Sequence, residues 1–379
     1  MQTALPHWSW LHPSSGSYEE HDVQFLLANT HCASLDVAEK EAAIQRGALH
    51  YSECVTKEDL PAPDYLHFYH QALHRHIERL AHECIRLAQG VIKHFQEHVQ
   101  TNKIVWISLA RAGTPIGILL HRWAKHQGLQ SYHYSVSVLK GEGNDKGLDL
   151  FAFNEIVRRH SDALECLLWV DGWVGKGSIT QRLKQSMTYW NALNTMQLNP
   201  PLAVIADPTG CADFFATQED YLVPHALLNA TISGCISRTT VPIQAGVAPH
   251  GTAFFEHLLV DDQSKSYIDT LWNTMLRLPT LKPEAGVCRI YFQPNTSKNK
   301  VAAALAIIHT KSAVNGADSI KVGIPETTRV FLRRLPAALW LNDIHHPDVA
   351  HLKYLATQKN VPIIAHAELP YRAVGIIKE

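Results

Sequence analysis

Apolar residues recur at helical spacing along the segment that begins at Asp64. The members of this pattern are Leu66, Phe68, Leu73, Ile77, Leu80, Ile85, Leu87, Val91, Ile92 and Phe95. Residues three and four positions apart lie on one face of a helix, so the segment predicts a long amphipathic helix. We expect a break near Gly90, because glycine is a poor helix former.

A second pattern follows, in which buried strands and amphipathic helices alternate. The strands are predicted at Lys103–Leu109, Tyr132–Leu139, Cys166–Asp171 and Leu202–Asp207. The helices between them are predicted at Ile116–Lys125, Leu150–His160 and Gly177–Asn194. This order is typical of an α/β fold with a parallel sheet, in which the loops at the carboxyl ends of the strands form the binding crevice.

The same patterns divide the chain. Residues 1–20 are rich in Pro, Ser and Trp and predict an arm on the surface or on a partner, and residues 21–278 form the α/β domain. Two prolines and a glycine predict a linker at 279–286. Residues 287–379 alternate again, with helices at Glu326–Arg334 and Asp348–Gln358 and strands at Ala338–Leu341 and Val361–Ala365. They predict a second, small α/β domain.

The composition limits the binding partners and the cellular compartment that we expect for this chain. The 379 residues carry a formal net charge of −1 and are 18% charged, which gives no sign of a general attraction to nucleic acids or membranes. The chain contains no apolar run near the about 20 residues of a membrane span and starts without a signal-peptide pattern. Seven scattered cysteines without a C-x-x-C pair indicate reduced thiols, and hence a cytoplasmic protein. The oligomeric state stays open, with a homo-oligomer as one option.

The most informative segment joins the strand at Cys166–Asp171 to the next helix. Asp171 ends the strand, and a glycine-rich turn then opens the helix: Gly172, Trp173, Val174, Gly175, Lys176, Gly177 and Ser178. Unpaired N–H groups at a helix N-terminus bind anions, and glycines allow a phosphate to come close. The turn therefore predicts a phosphate cradle, in which Trp173 could stack on a base and Asp171 could bind ribose hydroxyls or a hydrated metal ion.

Three loops at strand ends together resemble the substrate loops of type I phosphoribosyltransferases. They are Arg111-Ala112-Gly113, the segment from Lys140 to Gly147, and the cradle. The resemblance implies a phosphoribosyltransferase-like fold that binds phosphoribosyl diphosphate, or a nucleotide made from it, with magnesium. Arg111, Lys140 and Lys176 would then balance the phosphates. Gly172 stands where that family has a second acid, and the alternative is an ordinary strand–turn–helix.

A wider set of motifs resembles one bacterial family. The motifs are Lys40-Glu41 with Gln45, His50-Tyr51-Ser52-Glu53, Ser108 to Gly113, Val170 to Gly177, and Ser233 to Thr239. The family is StiP, which is encoded with tellurite-resistance and stress-response genes and has been described both as phosphoribosyltransferase-like and as a cysteine protease. The resemblance also implies a C-terminal Pelota-type RNA-binding domain.

A protease would need a thiolate beside a base. Cys235, Cys211 and Cys54 are the alternative nucleophiles, and Cys54 follows His50 at helical spacing. None has a recognisable nucleophile motif, and most cysteines of a cytosolic enzyme are small buried apolar residues.

The C-terminal domain resembles the Pelota and kink-turn-binding fold at Gly323-Ile324-Pro325-Glu326 and the basic helix that follows. The resemblance implies RNA contacts by Lys321, Glu326, Arg329, Arg333 and Arg334. Pro325 replaces the asparagine of the family's loop, so phosphate contacts are expected rather than base readout. The alternative is a basic helix used for packing or dimerisation.

Histidines are numerous but do not specify a metal site. His67, His70 and His74 share a helix face, and His345, His346 and His351 cluster near the end of the chain. The sequence does not fix a carboxylate or other third ligand beside either set. We therefore expect these histidines to lie on the surface and titrate, and we expect no metal held by protein side chains alone.

The leading hypothesis from the sequence is a phosphoribosyltransferase-like enzyme that transfers ribosyl phosphate to an unknown acceptor. Its catalytic residues would be Asp171, Lys140 and Arg111, and magnesium would accompany the diphosphate. Two alternatives stay open: a cysteine protease, and a non-catalytic protein that binds nucleotide or RNA.

Overall fold

The computed structural model describes residues 8–30, 34–36, 39, 40, 42, 43, 46, 53, 55–139, 147–242, 247–279, 294–311 and 319–378. Two predicted site residues, Lys140 and Cys54, lie outside these ranges, and so does the predicted linker apart from Pro279. The predicted domain boundaries stay predictions.

A six-stranded sheet forms the centre of the first domain. Its strands are β1 (Gln24–Phe25), β2 (Lys103–Leu109), β3 (Gln130–Val136), β4 (Leu167–Trp173), β5 (Leu202–Ala206) and β6 (Phe214–Thr217). They lie in the order β1-β3-β2-β4-β5-β6, and every pairing is parallel. The predicted α/β architecture with a parallel sheet is confirmed. The chain reverses direction along the sheet between β2 and β4, which is where such sheets bind ligands.

Helices cover both faces of this sheet. They are α1 (Pro63–His94), α2 (Gly113–His126), α3 (Leu150–Arg159), α4 (Ser178–Asn194) and α5 (Ser264–Arg277). Leu80 of α1, Ile116 of α2 and Leu271 of α5 share one core on the first face. Phe153 of α3 and Met187 of α4 pack with Trp169 of β4 on the other.

Two local predictions were wrong. Helix α1 continues through Gly90, because Leu87, Ala88, Val91 and Ile92 on either side are buried and tertiary packing outweighs the propensity of one glycine. The strand predicted up to Leu139 ends at Val136. Val138–Leu139 pairs instead with Gly147–Leu148 in a separate antiparallel ladder.

The described part of the arm, residues 8–20, packs on the first domain. The Leu11 N–H donates to the Leu27 carbonyl at 2.8 Å, and the Tyr18 hydroxyl donates to the Ile232 carbonyl at 2.8 Å. Two further parallel pairs lie beside it, Ala28–Asn29 with Gly251–Thr252 and Ser34–Leu35 with Val55–Thr56.

The second domain contains a four-stranded sheet. Its strands are β7 (Ile320–Val322), β8 (Pro336–Leu341), β9 (Ile363–Ala365) and β10 (Ala373–Ile377), in the order β7-β10-β8-β9. Its helices are α6 (Pro294–Lys311), α7 (Ile324–Arg333) and α8 (Ala350–Gln358). Only β8 and β9 pair in parallel; the other two pairings are antiparallel.

The two domains share a core and buried polar contacts. Leu227 of the first domain and Phe331 of α7 belong to one hydrophobic cluster. The buried Asp220 carboxylate accepts the N–H of Ile324 at 2.8 Å and that of Arg372 at 2.9 Å, and it thus caps the start of α7. These contacts bring α7 to the carboxyl edge of the large sheet.

Candidate functional site

The cradle forms at the carboxyl end of β4. Asp171 lies two residues before the end of the strand at Trp173, and the chain then passes through Gly177, whose φ of 80° is left-handed and favours glycine. Helix α4 begins at the next residue, Ser178. The N–H groups of the first helical turn have no partner inside the helix, so they are available to an anion or a developing negative charge.

Gly172, which stands where the resemblance led us to expect an acid, occupies a crowded position. A Cβ built there would lie 3.1 Å from Nε2 of His225 and 3.2 Å from the Ala112 carbonyl oxygen. His225 is buried, and its ring hydrogen-bonds with that carbonyl at 3.1 Å and with the Tyr267 hydroxyl at 3.0 Å. A carboxylate side chain at this position would require the ring to move.

The second domain closes over the cradle and forms a cavity of about 220 Å³, called the cradle cleft below. Its lining comprises Asp171, Trp173, Gly175, Lys176, Gly177, Ser178, Ile179 and Arg182 from the first domain and Lys321, Val322, Glu326 and Arg329 from the second. Five of the residues predicted to hold phosphate (Trp173, Gly175, Lys176, Gly177 and Ser178) and three of those predicted to hold RNA therefore line one site, whereas Arg111, Ala112, Gly113, Gly172 and Val174 are not among its lining residues.

Direct contacts join the two sides of the cradle cleft. The Trp173 indole N–H donates to Glu326 Oε1 at 3.0 Å, and the Arg329 guanidinium donates to the same oxygen at 2.7 Å. Arg329 also lies 4.5 Å from the centre of the Trp173 ring. Lys176 Nζ donates to the Ile320 carbonyl at 2.8 Å. Trp173 thus contacts α7, and a stacked base would have to displace Arg329.

Asp171 is one of two acids that line this cleft, the other being Glu326. Burial raises its pKa to about 7, although Arg329 and the Gly172 N–H favour the ionised form; Glu326 raises the pKa further. The Gly172 N–H donates to Asp171 Oδ1 at 2.7 Å. A carboxyl group that titrates near neutral pH in a cleft is suited to accept and return a proton.

In the loop after β2, the positive charge of Arg111 is paired within the protein, whereas a phosphate loop would direct such a charge at its ligand. The Arg111 guanidinium is buried and donates to both oxygens of Glu58, at 2.8 and 3.2 Å, and to the Ile236 carbonyl at 2.7 Å. A Cβ on Gly113 would lie 2.3 Å from the Val170 carbonyl oxygen, so this glycine permits α2 to pack closely against β4. The predicted roles of Arg111, Ala112 and Gly113 in binding phosphate stay predictions.

Glu58, His225 and Asp220 were missed by the sequence analysis. Their partners are distant in the chain: Glu58 binds Arg111, His225 contacts Ala112 and Tyr267, and Asp220 caps α7. No local spacing signals such contacts. Burial lowers the pKa of His225 to about 3, so its ring is neutral at physiological pH.

The cysteines differ in accessibility. Among the described residues, Cys84, Cys166 and Cys235 are buried, whereas Cys211 is partly exposed. Burial raises the pKa of Cys235 to about 12, and Asp262 raises it further. Cys211 lies beside the cradle, since a Cβ built on Gly177 would be 2.8 Å from its Sγ.

The remaining predicted residues are dispersed. Arg333 at the end of α7 donates to Asn229 Oδ1 at 2.5 Å, and Arg334 is the next residue. His351 is buried and hydrogen-bonds with the Thr328 hydroxyl at 2.7 Å, so it does not belong to a titrating surface. In the described ranges no group of three or more His, Cys, Asp or Glu side chains could hold a metal ion.

Comparisons with known proteins identify both domains. Residues 299–379 match the PELOTA RNA binding domain. A relative from Acinetobacter baylyi (strain ATCC 33305 / BD413 / ADP1), named "Cysteine protease StiP", is 32% identical over 377 residues, which cover 96% of this chain and 94% of the relative. No helix in the described part of the chain is long and apolar enough to cross a bilayer.

Residues 16–272 match the family model described as "Tellurite-like stress resistance cysteine protease StiP". This finding overturns the leading hypothesis from the sequence: phosphoribosyl transfer was wrong as the main function, and the cysteine protease alternative is better supported. The loop resemblance misled because a strand–turn–helix with glycines serves many chemistries. The StiP family resemblance is confirmed: with a match over most of its length and a curated relative that spans nearly all of it, this chain belongs to the StiP family.

Proposed function

We propose that this chain is a cysteine protease whose nucleophile is Cys211. The observation that carries the activity is the family match over residues 16–272, supported by the similar protein that is named a cysteine protease. The choice of cysteine rests on geometry. Reactive thiols lie in partly exposed, electropositive surroundings, whereas buried structural thiols are inert.

The surroundings of Cys211 fit this requirement. The residue follows Gly210 on a turn that the Asp207 carboxylate holds, by accepting the N–H groups of Thr209 at 3.1 Å and Ala212 at 2.7 Å. Its Sγ lies against Gly177, at the N-terminus of α4. The dipole of α4, which is positive at the N-terminus of the helix, favours a thiolate there.

The chemistry then follows the usual course of thiol acyl transfer. In the mechanism that we propose, Asp171, at the same edge of the sheet, accepts the proton of Cys211, and the thiolate sulfur attacks the scissile carbonyl carbon. The N–H groups of the first turn of α4, at Ser178 and Ile179, can donate to the oxyanion. Protonated Asp171 returns the proton to the leaving amine, and water then hydrolyses the thioester.

The test is hydrolysis of fluorescein-labelled casein by the full chain, with and without iodoacetamide. We expect Cys211→Ala to reduce the rate by a factor of about 100 or more, because the nucleophile is lost. Cys84→Ala is the matched control for removal of a thiol and should keep the activity. Cys235→Ala and Cys54→Ala complete the set.

Iodoacetamide labelling followed by peptide mass spectrometry provides a second readout. Cys211 should react at pH 7 at least about ten times faster than the buried thiols. If casein hydrolysis survives in Cys211→Ala but is lost in Cys54→Ala or Cys235→Ala, the nucleophile has been misassigned. Hydrolysis that iodoacetamide leaves unchanged would refute the thiol mechanism itself.

A second function is favoured by the match of residues 299–379 to an RNA-binding domain. We propose that this domain binds RNA through the phosphate backbone, with Lys321, Arg329, Arg333 and Arg334 as the cations. Lys321 and Arg329 line the cradle cleft, so RNA would compete there with the first domain. Filter binding at 50 and 200 mM salt tests this, because phosphate contacts weaken steeply with salt; binding that does not change with salt would contradict it.

The detailed fold of the first domain, the cellular compartment and the metal ion were also predicted from the sequence, and these three remain proposals. A phosphoribosyltransferase-like fold is supported by the strand order β3-β2-β4-β5 and by the loop at the reversal point. A reducing cytoplasm is supported by the scattered cysteines and would keep Cys211 active. Magnesium was expected with a diphosphate, has no role in the protease mechanism, and stays a prediction.

A further inference from the structure

The start of α7 holds a carboxylate that comes from the first domain. Asp220 is buried, and its Oδ1 accepts the N–H of Ile324, the first residue of the helix, at 2.8 Å. Its Oδ2 accepts the N–H of Arg372 at 2.9 Å. Helices are usually capped by a side chain of the residue that precedes them, but that residue is Gly323 here. The N-terminus of α7 is therefore an anion site that the first domain already occupies.

A second acid of the first domain lies beside Asp220. Glu219 accepts from the Arg372 guanidinium at 2.9 Å, and its other oxygen accepts from Arg79 of α1 at 2.9 Å. The Nε of Arg372 is buried and has no hydrogen-bond partner among the described residues. Helix N-termini and guanidinium groups are donors with which proteins bind phosphate. The donors that Glu219 and Asp220 engage are thus suited to the phosphates of a nucleic-acid backbone.

The carboxylate of Asp220 is closely fitted but incompletely stabilised. A Cβ built on Gly323 would lie 3.3 Å from Asp220 Oδ1, so a glycine lets the carboxylate approach the helix. Burial raises the pKa of Asp220 to about 6, although the N–H groups of Ile324 and Arg372 favour the ionised form. The carboxylate is therefore held at a desolvation cost, which makes it easier for a competing anion to displace.

The same helix closes the cradle cleft. Glu326 and Arg329, in the first two turns of α7, both contact Trp173. Glu326 accepts from the indole N–H at 3.0 Å, and the Arg329 guanidinium lies 4.5 Å from the ring centre. Movement of the start of α7 away from Asp220 would carry these two side chains away from the cradle. The anion site and the closure of the cleft are thus coupled through one helix.

We propose that Asp220 occupies the place of an RNA phosphate on the second domain, and that RNA displaces it and loosens the closure of the cradle cleft. One phosphate would accept the N–H groups of Ile324 and Arg372, and its neighbour would pair with the Arg372 guanidinium in place of Glu219. The proposal rests on the RNA binding proposed above, which the match of residues 299–379 supports, and not on the protease assignment. The apparent affinity for RNA then scales with the fraction of molecules in which the site is free of Asp220.

Fluorescence anisotropy of a labelled oligouridine of about 20 nucleotides, titrated with the full chain at about 50 mM salt, measures the competition. Asp220→Asn keeps the size of the side chain but has one carbonyl oxygen, so it cannot accept both N–H groups as Asp220 does. We expect this variant to bind RNA at least about fivefold more tightly than the wild type, because the competitor is weakened. Glu219→Gln, at an exposed position, should give a smaller gain of about twofold.

Two further variants separate displacement from a general change in charge. Asp213→Asn is the matched control, because it also removes one negative charge from the first domain, where its carboxylate accepts the Leu202 N–H at 2.8 Å. Its RNA affinity should stay within about twofold of the wild type. Arg372→Gln combined with Asp220→Asn removes the guanidinium from the site. This double variant should bind RNA at least about tenfold more weakly than Asp220→Asn alone.

Hydrogen exchange measured by mass spectrometry reports on the closure itself, without reference to proteolysis. Oligouridine added to the wild type should speed exchange in the peptide that covers residues 173–178, and Asp220→Asn should do so without RNA. Thermal unfolding shows which variants are folded. If Asp220→Asn does not fold, Glu219→Gln carries the same test at an exposed position.

Three results would overturn the proposal: RNA affinity that is equal in the wild type and the folded Asp220→Asn and Glu219→Gln variants, RNA binding that leaves exchange at residues 173–178 unchanged, or undiminished binding by the Arg372→Gln double variant. RNA binding by none of these proteins would refute the RNA-binding function and this proposal together.

Discussion

The cradle cleft and a second cavity of about 320 Å³, lined by Glu58, Tyr65, Leu228 and Phe331 among others and called the apolar cavity, both lie between the two domains, and α7 contributes residues to each. Each also contains a partly buried carboxylate, Asp171 in the cradle cleft and Glu58 in the apolar cavity. Burial raises the pKa of Asp171 in the cradle cleft to about 7. Burial acts in the same direction on Glu58 of the apolar cavity, but Arg111 outweighs it, and the pKa of Glu58 is lowered.

The difference between the two carboxylates lies in their partners. Glu58 accepts hydrogen bonds at both oxygens from Arg111, whereas the Gly172 N–H is the group that donates to Asp171. Arg329 is close enough to affect Asp171, yet it donates to Glu326 instead. A carboxylate that is hydrogen-bonded to a cation stabilises the fold, whereas one whose pKa lies near neutral can exchange a proton. The two sites therefore have different uses.

The largest expected effect is that of Glu58→Gln. This change leaves the buried Arg111 guanidinium without its counter-ion, and we expect a loss of about 3–5 kcal/mol in the free energy of unfolding at pH 7. Because the folded pKa of Glu58 is lowered, its stabilisation is present above the unfolded pKa of about 4.3 and is lost as the pH falls through the folded value. The difference between the wild type and the variant should therefore shrink in acid.

Urea unfolding at pH 7 and pH 4 measures this effect. Asp162→Asn is the control, because it breaks the Lys103–Asp162 pair in which Asp162 is 75% exposed, and it should cost less than about 1 kcal/mol. Equal losses in the two variants would mean that the Glu58–Arg111 pair behaves as a surface pair.

Asp171→Asn should have the opposite pH dependence. The folded pKa of about 7 lies above the unfolded value, so the stability contribution is present in acid and is lost as the pH rises from about 4 to about 7. The asparagine removes this dependence, and at pH 8 the variant should be more stable by about 2 kcal/mol, reduced from the full linkage value because Asp171 is partly exposed.

Urea unfolding of the wild type and Asp171→Asn at pH 5, 6, 7 and 8 provides the comparison. The two curves should separate as the pH rises. Parallel curves would show that Asp171 titrates at an ordinary carboxyl pKa, and the contrast between the two cavities would then fail.

Trp173→Phe tests how firmly α7 closes the cradle cleft. It removes the hydrogen bond from the indole N–H to Glu326, which should cost about 1 kcal/mol. If opening of the cleft exposes Cys211, iodoacetamide labelling should become about fivefold faster, the factor that corresponds to this energy.

Trp190→Phe is the matched control for the loss of an indole N–H. Its Nε1 donates to Asn154 at 2.7 Å, on the α3–α4 side of the sheet. It should lose similar stability and leave the labelling of Cys211 unchanged. Equal acceleration in both variants would indicate general destabilisation rather than an interdomain closure.

The smallest effect is expected in the apolar cavity, for Tyr65→Phe. Its hydroxyl has no partner among the described residues, so the change should alter the free energy of unfolding by less than about 0.5 kcal/mol. Tyr221→Phe is the contrast, because Tyr221 donates to Glu83 at 2.5 Å and its loss should cost about 1–3 kcal/mol. A large loss for Tyr65→Phe in thermal or urea unfolding would reveal a bonded hydroxyl.

The features that could be predicted from the sequence are those encoded within a few neighbouring residues. The strand that carries Asp171, the left-handed Gly177 and the helix that begins at Ser178 follow one another within a few residues, so local pattern was sufficient to find them. The parallel sheet was predictable because alternating strands and helices allow few other arrangements. The break at Gly90 was wrong because burial along α1 is a tertiary effect.

The roles of charged residues were harder to predict. Arg111 has the sequence context of an anion-binding residue, but its partner Glu58 lies 53 positions away in an irregular segment. Of the three cysteines singled out in the sequence, Cys54 differed by its helical spacing from His50, and nothing there separated Cys211 from Cys235. Burial separates Cys235 from Cys211, and burial is a property of packing.

By itself, the sequence determined the order of elements, the parallel sheet, the position of the cradle and the family, because hydrophobic period, turn residues and motifs are encoded over short stretches. The tertiary structure alone decided that α7 of the second domain meets the cradle, that Glu58 neutralises Arg111, and that Asp171 titrates near neutral pH. These features depend on which distant side chains approach within a few ångströms and on how much water they exclude, and no local pattern records either quantity.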